Sequence, residues 1–224
     1  MRRLPSPVFA RVARRYAACG RFARGYVAAK LRGDPVHGDV LALAAREAFG
    51  DVLDVGCGRG QLGIALLEAG LARSVLALDC AQAHLAQARR AGTGLAFAAA
   101  VQDFAQLQLL PEADTVLLVD VLYQLDPAAQ EALLAAAARA ARRILLVRAL
   151  DPARGFRSAL TLAFEHVARF ASPHSGLRVR AVPLPRMIAG LHEAGFTVAV
   201  APCWRGTPFA NVLLTARRRN QPAF

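Results

Sequence analysis

From Asp51 to Ala149 short apolar runs alternate with longer helix-patterned stretches, and this rhythm constrains the fold more than any other feature. The runs Val52–Val55, Ser74–Asp79, Leu95–Val101, Asp114–Val119 and Arg143–Ala149 are predicted strands. Between them Gln61–Ala69, Ala81–Ala91 and Pro127–Ala141 are predicted helices, with a short helical piece near Phe104–Leu109. Strands separated by crossover helices imply βαβ units, hence an α/β fold with a parallel sheet covered on both faces. After residue 150 the rhythm breaks. Residues 150–182 carry Phe156, Leu160, Phe164, Val167 and Phe170 on one stripe, which predicts a helical insertion. A helix Leu184–Ala194 and two strands, Phe196–Ala201 and Asn211–Ala216, then read as a closing antiparallel hairpin.

Upstream, Val8, Val12, Tyr16, Cys19, Phe22 and Tyr26 recur at steps of three and four, predicting one apolar helical face over 8–31. Gly20 and Gly25 weaken that helix, so a kink or two short helices is expected. Gly33-Asp34-Pro35 reads as an N-cap with proline at the first helical position, opening a helix that runs to about Phe49. The chain thus divides into a basic helical cap, 1–33, and a domain, 34–224, with an insertion at 150–182.

The net charge of +12 is unevenly placed: residues 1–50 carry +7, 51–150 carry −2 and 151–224 carry +7. Both flanks suit an anionic partner: nucleic acid, a membrane surface or an acidic carrier protein. With 55% hydrophobic residues the chain can bury enough surface to exclude disorder as its main state. Its apolar runs are cut by arginine well short of the ~18–20 residues of a membrane span. The opening MRRLPSPVFARVARRYAACG has no continuous apolar stretch, so a secretory signal is not expected. Cys19, Cys57, Cys80 and Cys203 form no metal-ligand spacing, so no metal is expected. Sparse, irregularly spaced thiols suit a reducing, cytoplasmic setting.

The richest segment is Val52-Leu53-Asp54-Val55-Gly56-Cys57-Gly58-Arg59-Gly60-Gln61-Leu62-Gly63. Gly58, Gly60 and Gly63 satisfy G-x-G-x-x-G between a strand and a helix, a pattern shared with NAD(P)-binding proteins. Asp54 separates the alternatives. A carboxylate before the loop repels a diphosphate and suits a ligand carrying an ammonium or sulfonium, such as S-adenosylmethionine. Asp79 ends the second strand, where it can accept from ribose hydroxyls. Asp103 follows the third and can accept from an adenine amino group, with Phe104 able to cover the ring. Any one of these acids could be a loop residue or a helix cap. Three at successive strand ends mark the edge where open α/β sheets bind ligands.

Val52–Gly60, Leu78-Asp79, Gln102-Asp103 and Leu117–Asp120 resemble the successive motifs of class I S-adenosylmethionine-dependent methyltransferases. The resemblance implies a Rossmann-like, mostly parallel seven-stranded sheet with an antiparallel last strand. It places Asp54, Gly56 and Gly58 around the methionine moiety, with Cys57 between them. It also places Asp79, next to Cys80, on the ribose, Asp103 by the adenine and Asp120 beside the methionine chain. AAKLRGDPV (28–36) and GTPFANVL (206–213) are similar to methyltransferases of bacterial aryl polyene and xanthomonadin-type pigment clusters, thought to act on an aromatic or carrier-bound precursor.

Among enzymes that the chain resembles, the segment after the fourth strand, Asp120–Leu125, commonly lies near the transferred methyl group. The Asn/Asp-Pro-Pro-aromatic motif of nucleobase amino-methyltransferases is absent there, and no RNA-binding module is recognisable. Tyr123 is the candidate for orienting an acceptor hydroxyl, or it is a packed tyrosine. Arg148 is a candidate to pair with an acceptor carboxylate or phenolate, or it belongs to a structural ion pair. His166 and His174 enter the pocket if the insertion forms a lid. Phe22, Tyr26, Phe156, Phe164 and Phe170 then line a pocket for an aromatic acceptor. An acidic acyl carrier protein would dock on the basic cap around Arg14 and Arg24. An RNA methyltransferase, a non-catalytic S-adenosylmethionine-binding module and an NAD(P)-binding protein remain the other readings.

Overall fold

The computed structural model describes residues 6–104, 109–151 and 182–219. Its strands are β1 (Asp51–Val55), β2 (Ser74–Asp79), β3 (Phe97–Val101), β4 (Ala113–Val119), β5 (Ala141–Leu150), β6 (Phe196–Pro202) and β7 (Asn211–Arg218). They form one sheet in the order β3-β2-β1-β4-β5-β7-β6. The first five run parallel, and β7 lies antiparallel to both β5 and β6. The expected parallel sheet with a reversed final strand is therefore present. The chain moves outward from β1 to β2 and β3, then returns to place β4 on the other side of β1. That reversal opens a crevice at the carboxyl ends of β1 and β4, where sheets of this kind bind ligands.

The helices are α1 (Ser6–Arg15), α2 (Arg21–Gly33), α3 (Pro35–Ala44), α4 (Gln61–Glu68), α5 (Gln82–Ala91), α6 (Pro127–Ala140) and α7 (Leu184–Glu193). Alternation along the strands sends side chains to two helical layers. Leu53, Val55, Val116 and Leu118 meet Leu133 and Ala137 of α6 and Met187 and Leu191 of α7. Val52, Val75, Ala77 and Leu117 face the layer holding Val12, Tyr16, Val40 and Leu41. Asp54 shares the phase of Val52, so it points toward the layer containing the N-terminal helices.

Three expectations need correction or bounding. The stripe from Val8 to Tyr26 is not one face, because Gly20 at φ 92° separates α1 and its short 3-10 extension from α2 and resets the helical phase. Before the break Val8, Val12 and Tyr16 are buried; after it the buried face is Ala23, Val27 and Leu31, while Phe22 is 77% exposed. The helix from Pro35 ends at Ala44 rather than near Phe49, since Phe49 turns wholly into the core and Gly50 follows at φ 62°. A Cβ at Gly50 would lie 2.1 Å from the Asp114 carboxylate, so the chain can pass there only as glycine. The aromatic stripe of 150–182, with His166 and His174, lies outside the described residues, as does most of the predicted helical piece near Phe104–Leu109.

Candidate cofactor and acceptor site

The loop after β1 is shaped by its glycines and anchored by β2. Gly56, Gly58 and Gly60 all adopt positive φ, which side-chain-bearing residues rarely do. The Gly56 and Cys57 amides donate to the Leu78 carbonyl at 2.8 and 3.0 Å. The Gly58 amide donates to Asp79 Oδ2 at 2.7 Å, and Ala81 N donates to Asp79 Oδ1 at 2.8 Å. Asp79 therefore holds the loop and the turn into α5. A carboxylate offers about four lone-pair sites, so this bonding leaves capacity for ligand hydroxyls. Gly56 and Gly63 are close-packed: a Cβ would come within 2.6 Å of Val121 and 2.7 Å of Val75, respectively. At Gly58, by contrast, a Cβ would meet nothing within 4 Å among the described residues. The loop thus presents open backbone at Gly58 over a tightly packed floor.

Asp54 lies beneath this loop, only 2% exposed, and its Oδ2 has no hydrogen-bond partner among the described residues. Burial, reinforced by the charge of Asp79 and partly opposed by the Gly63 amide, pushes its carboxyl up to about 7. A buried carboxylate with an orphaned oxygen suits a cationic ligand group. The donor set thus fits the ammonium-bearing methionine end of S-adenosylmethionine. Cys57 is buried in the apolar cluster under the cap, its thiol driven upward by that burial, so its side chain is a packing element. Cys80 is exposed beside Asp79. Asp103 is exposed beyond β3, whereas Phe104 is buried with Leu78, Val121 and Leu122 in the core wall.

A second cluster lies across the crevice. Arg148 on β5 is 3% exposed, and its Nη1 donates to Asp34 Oδ2 at 2.9 Å and to Asp120 Oδ2 at 2.8 Å. Lys30 Nζ lies 3.2 Å from Asp34 and 3.9 Å from Asp120. Asp120 follows β4 with φ 59°, and its Oδ1 is buried without a hydrogen-bond partner among the described residues. Burial alone would raise the Asp34 carboxyl; Arg148 and then Lys30 overturn this and hold it at about 2. Burial would likewise depress the Arg148 guanidinium, but Asp120 and Asp34 raise it above its ordinary value. Arg148 is therefore engaged by two carboxylates of this chain, with its Nε left unpartnered. Tyr123 is buried and electrostatically coupled to this guanidinium.

Sequence reasoning gave Asp34 only its capping role, which it does perform by accepting from Val36 N at 3.2 Å. Its second role, 114 residues away at Arg148, has no local signature. Lys30 was visible as the chain's only lysine, four residues before Asp34. Arg59 was also missed. Its guanidinium lies 4.5 Å from the centre of the Tyr26 ring and 5.8 Å from that of Phe22, its Nε bonds Gln87 at 2.9 Å, and its carbonyl accepts from the Tyr16 hydroxyl. The cap thus meets the glycine loop directly.

Residues 52–143 match the family model described as a methyltransferase domain. Among solved structures the chain is similar to magnesium protoporphyrin IX methyltransferase from Synechocystis PCC 6803 with bound S-adenosylhomocysteine, at 24% identity, covering 95% of each chain with TM-score 0.65. The pyocyanin biosynthetic protein PhzM follows at 23% identity, with 94% of this chain and 61% of that one covered and TM-score 0.63. The N-methyltransferase NodS from Bradyrhizobium japonicum WM9, in complex with S-adenosylhomocysteine, shares 16% identity over 96% and 99% of the chains, with TM-score 0.61. No curated protein matches the chain by sequence. The fold is that of the Rossmann-like methyltransferases. Together with the methyltransferase-domain match over residues 52–143 it supports an S-adenosylmethionine-dependent methyltransferase.

Two glycine replacements separate packing from binding. Gly63→Ala forces Val75 aside and is expected to cost about 1–3 kcal/mol of stability, with cofactor affinity of the folded protein retained. Gly58→Ala pays about 1–2 kcal/mol for its left-handed backbone and also fills the open space, so cofactor affinity falls about tenfold or more. Denaturant unfolding and calorimetric titration of both variants check this contrast.

Proposed function

We propose that this methyltransferase acts on a small, aromatic or carrier-tethered acceptor, in bacterial secondary metabolism of the pigment or polyketide type. The observation that carries the reading is the stacked pair Phe22 and Tyr26, ring centres 6.5 Å apart, set on Arg59 of the glycine loop. An aromatic wall at the rim of the cofactor site favours a flat, apolar acceptor. The names of two structural neighbours, a protoporphyrin methyltransferase and a pyocyanin biosynthetic protein, agree with such an acceptor class. The AAKLRGDPV and GTPFANVL segments supply the pigment-cluster context.

The bound cofactor supplies an electrophilic methyl group on a sulfonium. This chain's residues hold and orient. In this reading Asp54, Gly56, Cys57 and Gly58 surround the methionine end, the first through its carboxylate and the others through backbone. Asp79 receives the ribose, with Cys80 beside it, and Asp103 and Phe104 flank the adenine. Asp120, fixed by Arg148, lines the methionine chain. Tyr123 orients the acceptor; His166, outside the described residues, is a further candidate to contact it. These residues would hold an acceptor lone pair in line with that methyl group, the sulfur being the leaving group, and an acceptor proton would pass to solvent. Positioning of the acceptor against the methyl group accounts for the rate gain. Residues 1–33 act as a cap on the domain 34–224, the setting is cytoplasmic, and the basic cap receives an acidic carrier protein. Among the described residues no helix is long and apolar enough to cross a membrane.

The test is incubation with methyl-labelled S-adenosylmethionine and a panel of hydroxylated and carboxylated aromatics, free and carrier-tethered, read by mass spectrometry. One added methyl on a small or tethered aromatic is expected. Label entering RNA while every aromatic stays unmodified would overturn the reading.

A further inference from the structure

Residues 1–33 contain no Asp or Glu, and the carboxylates that reach this segment from elsewhere are already engaged. Glu68 takes Arg11 and Arg15, while Asp34 and Asp120 take Lys30 together with Arg148. Among the described residues of this segment, Arg14, Arg21, Arg24 and Arg32 are left. All four are exposed, and none has a carboxylate partner among the described residues. They surround a groove of about 520 Å3 between α1 and α2. The floor of that groove is Ala10, Ala13, Gly25 and Ala28, residues too small to keep another backbone at a distance.

The arrangement has the period of a helix. Arg21, Arg24, Ala28 and Arg32 follow one another on one side of α2 over about 16 Å, three turns. A small anion would meet one or two of these arginines. A row of this length over a small-residue floor matches an extended partner with regularly spaced negative charge. A bilayer surface calls for apolar anchors among the cations; the exposed Phe22 and Tyr26 of α2 lie outside the lining of this groove, whose non-arginine residues are all alanine or glycine. Single-stranded nucleic acid calls for aromatic platforms among the cations, and no aromatic residue lines this groove.

We infer that the α1–α2 groove docks an acidic α-helix of a partner protein, with carboxylates on that helix meeting Arg14, Arg21, Arg24 and Arg32. This deepens the carrier-tethered reading and rests on it for the partner's role, although the groove's charge and shape do not depend on the acceptor. Docking here brings a partner to the helix whose aromatic pair borders the glycine loop.

The probe is a fluorescent synthetic amphipathic helix of roughly four turns, with glutamates repeating at three- and four-residue steps along one face. Its binding to the full chain is followed by anisotropy beside a scrambled peptide, phosphatidylglycerol vesicles and duplex RNA. The in-register helix is expected to bind at least about tenfold tighter than the scramble, and to lose about tenfold or more between about 50 and 300 mM salt. It should lose as much in the variant Arg14→Glu/Arg21→Glu/Arg24→Glu/Arg32→Glu, whose calorimetric affinity for S-adenosylmethionine stays unchanged. If that variant does not fold, Arg21→Gln/Arg32→Gln serves, with a proportionally smaller loss. Equal binding of the scramble, no loss on reversing the arginines, or retention of vesicles or RNA without the peptide overturns the proposal. Since peptide binding and methyl transfer to free acceptors are read separately, failure of one is distinguishable from failure of the other.

Discussion

Asp54→Asn is expected to weaken S-adenosylmethionine binding by about a hundredfold or more while making the unliganded protein more stable. The two effects share one cause. The Asp54 carboxylate is buried, carries an oxygen with no hydrogen-bond partner among the described residues, and is pushed up to about 7 by that burial and the charge of Asp79. The unfolded chain releases this proton near 3.8. The stability contributed by the protonated form is therefore present below about 4 and lost as pH rises through 7. Above that, an ionised buried carboxylate costs on the order of 4 kcal/mol, and a buried asparagine amide about 1–3 kcal/mol. The variant should gain about 1–3 kcal/mol near pH 8, a gain that vanishes toward pH 4. Binding responds oppositely, because losing the partner of a desolvated cation costs about 2–5 kcal/mol. Wild-type affinity should rise as pH passes upward through about 7, until the ligand ammonium itself deprotonates near pH 8. The variant should lack that rise. Thermal unfolding and calorimetry across pH measure both arms.

Arg148→Met is expected to cost about 3–5 kcal/mol, because two buried carboxylates lose the cation between them. Lys30, 3.9 Å from Asp120, cannot replace a guanidinium that bonds both acids below 3 Å. Asp34 is held at about 2 in the folded protein, below its unfolded value of 3.8. The stability this gives is present above about 4 and lost as pH falls through 2. The penalty of the variant should accordingly shrink on acidification, as the orphaned acids protonate. Adding Asp34→Asn and Asp120→Asn should restore much of the stability but not cofactor affinity, since Asp120 then has no carboxylate to offer. Unfolding of the single and triple variants, paired with KM for S-adenosylmethionine, separates support of the fold from positioning of Asp120.

The sheet was legible because its central strands are buried on both faces and so read as near-continuous apolar runs, while each crossover helix announces its start. Asp126 and Asp34 accept from the amides of Ala129 and Val36, each with proline at the following position. The glycine loop and the acids at strand ends were equally local signals. Three features were not local. Gly20 changes the helical phase, so a regular spacing from Val8 to Tyr26 hid a buried face followed by an exposed one. The Asp34–Arg148–Asp120 bridge joins a helix cap, a strand and a loop that only tertiary packing brings together. The left-handed backbone of Asp120 leaves no mark in composition. Arg148 was readable as a pocket-edge cation, but which carboxylate it would face was not.

The central claim is that the open glycine loop with the buried Asp54 carboxylate receives the methionine end of S-adenosylmethionine. Calorimetric titration at about pH 7.5 with S-adenosylmethionine, S-adenosylhomocysteine, NAD and NADP, on wild type and Asp54→Asn, tests it most directly. The account predicts stoichiometric binding of both adenosyl ligands to the wild type, loss of about a hundredfold or more in the variant, and no binding of either dinucleotide. Tight NAD or NADP binding without S-adenosylmethionine binding, or unchanged affinity in Asp54→Asn, would contradict it.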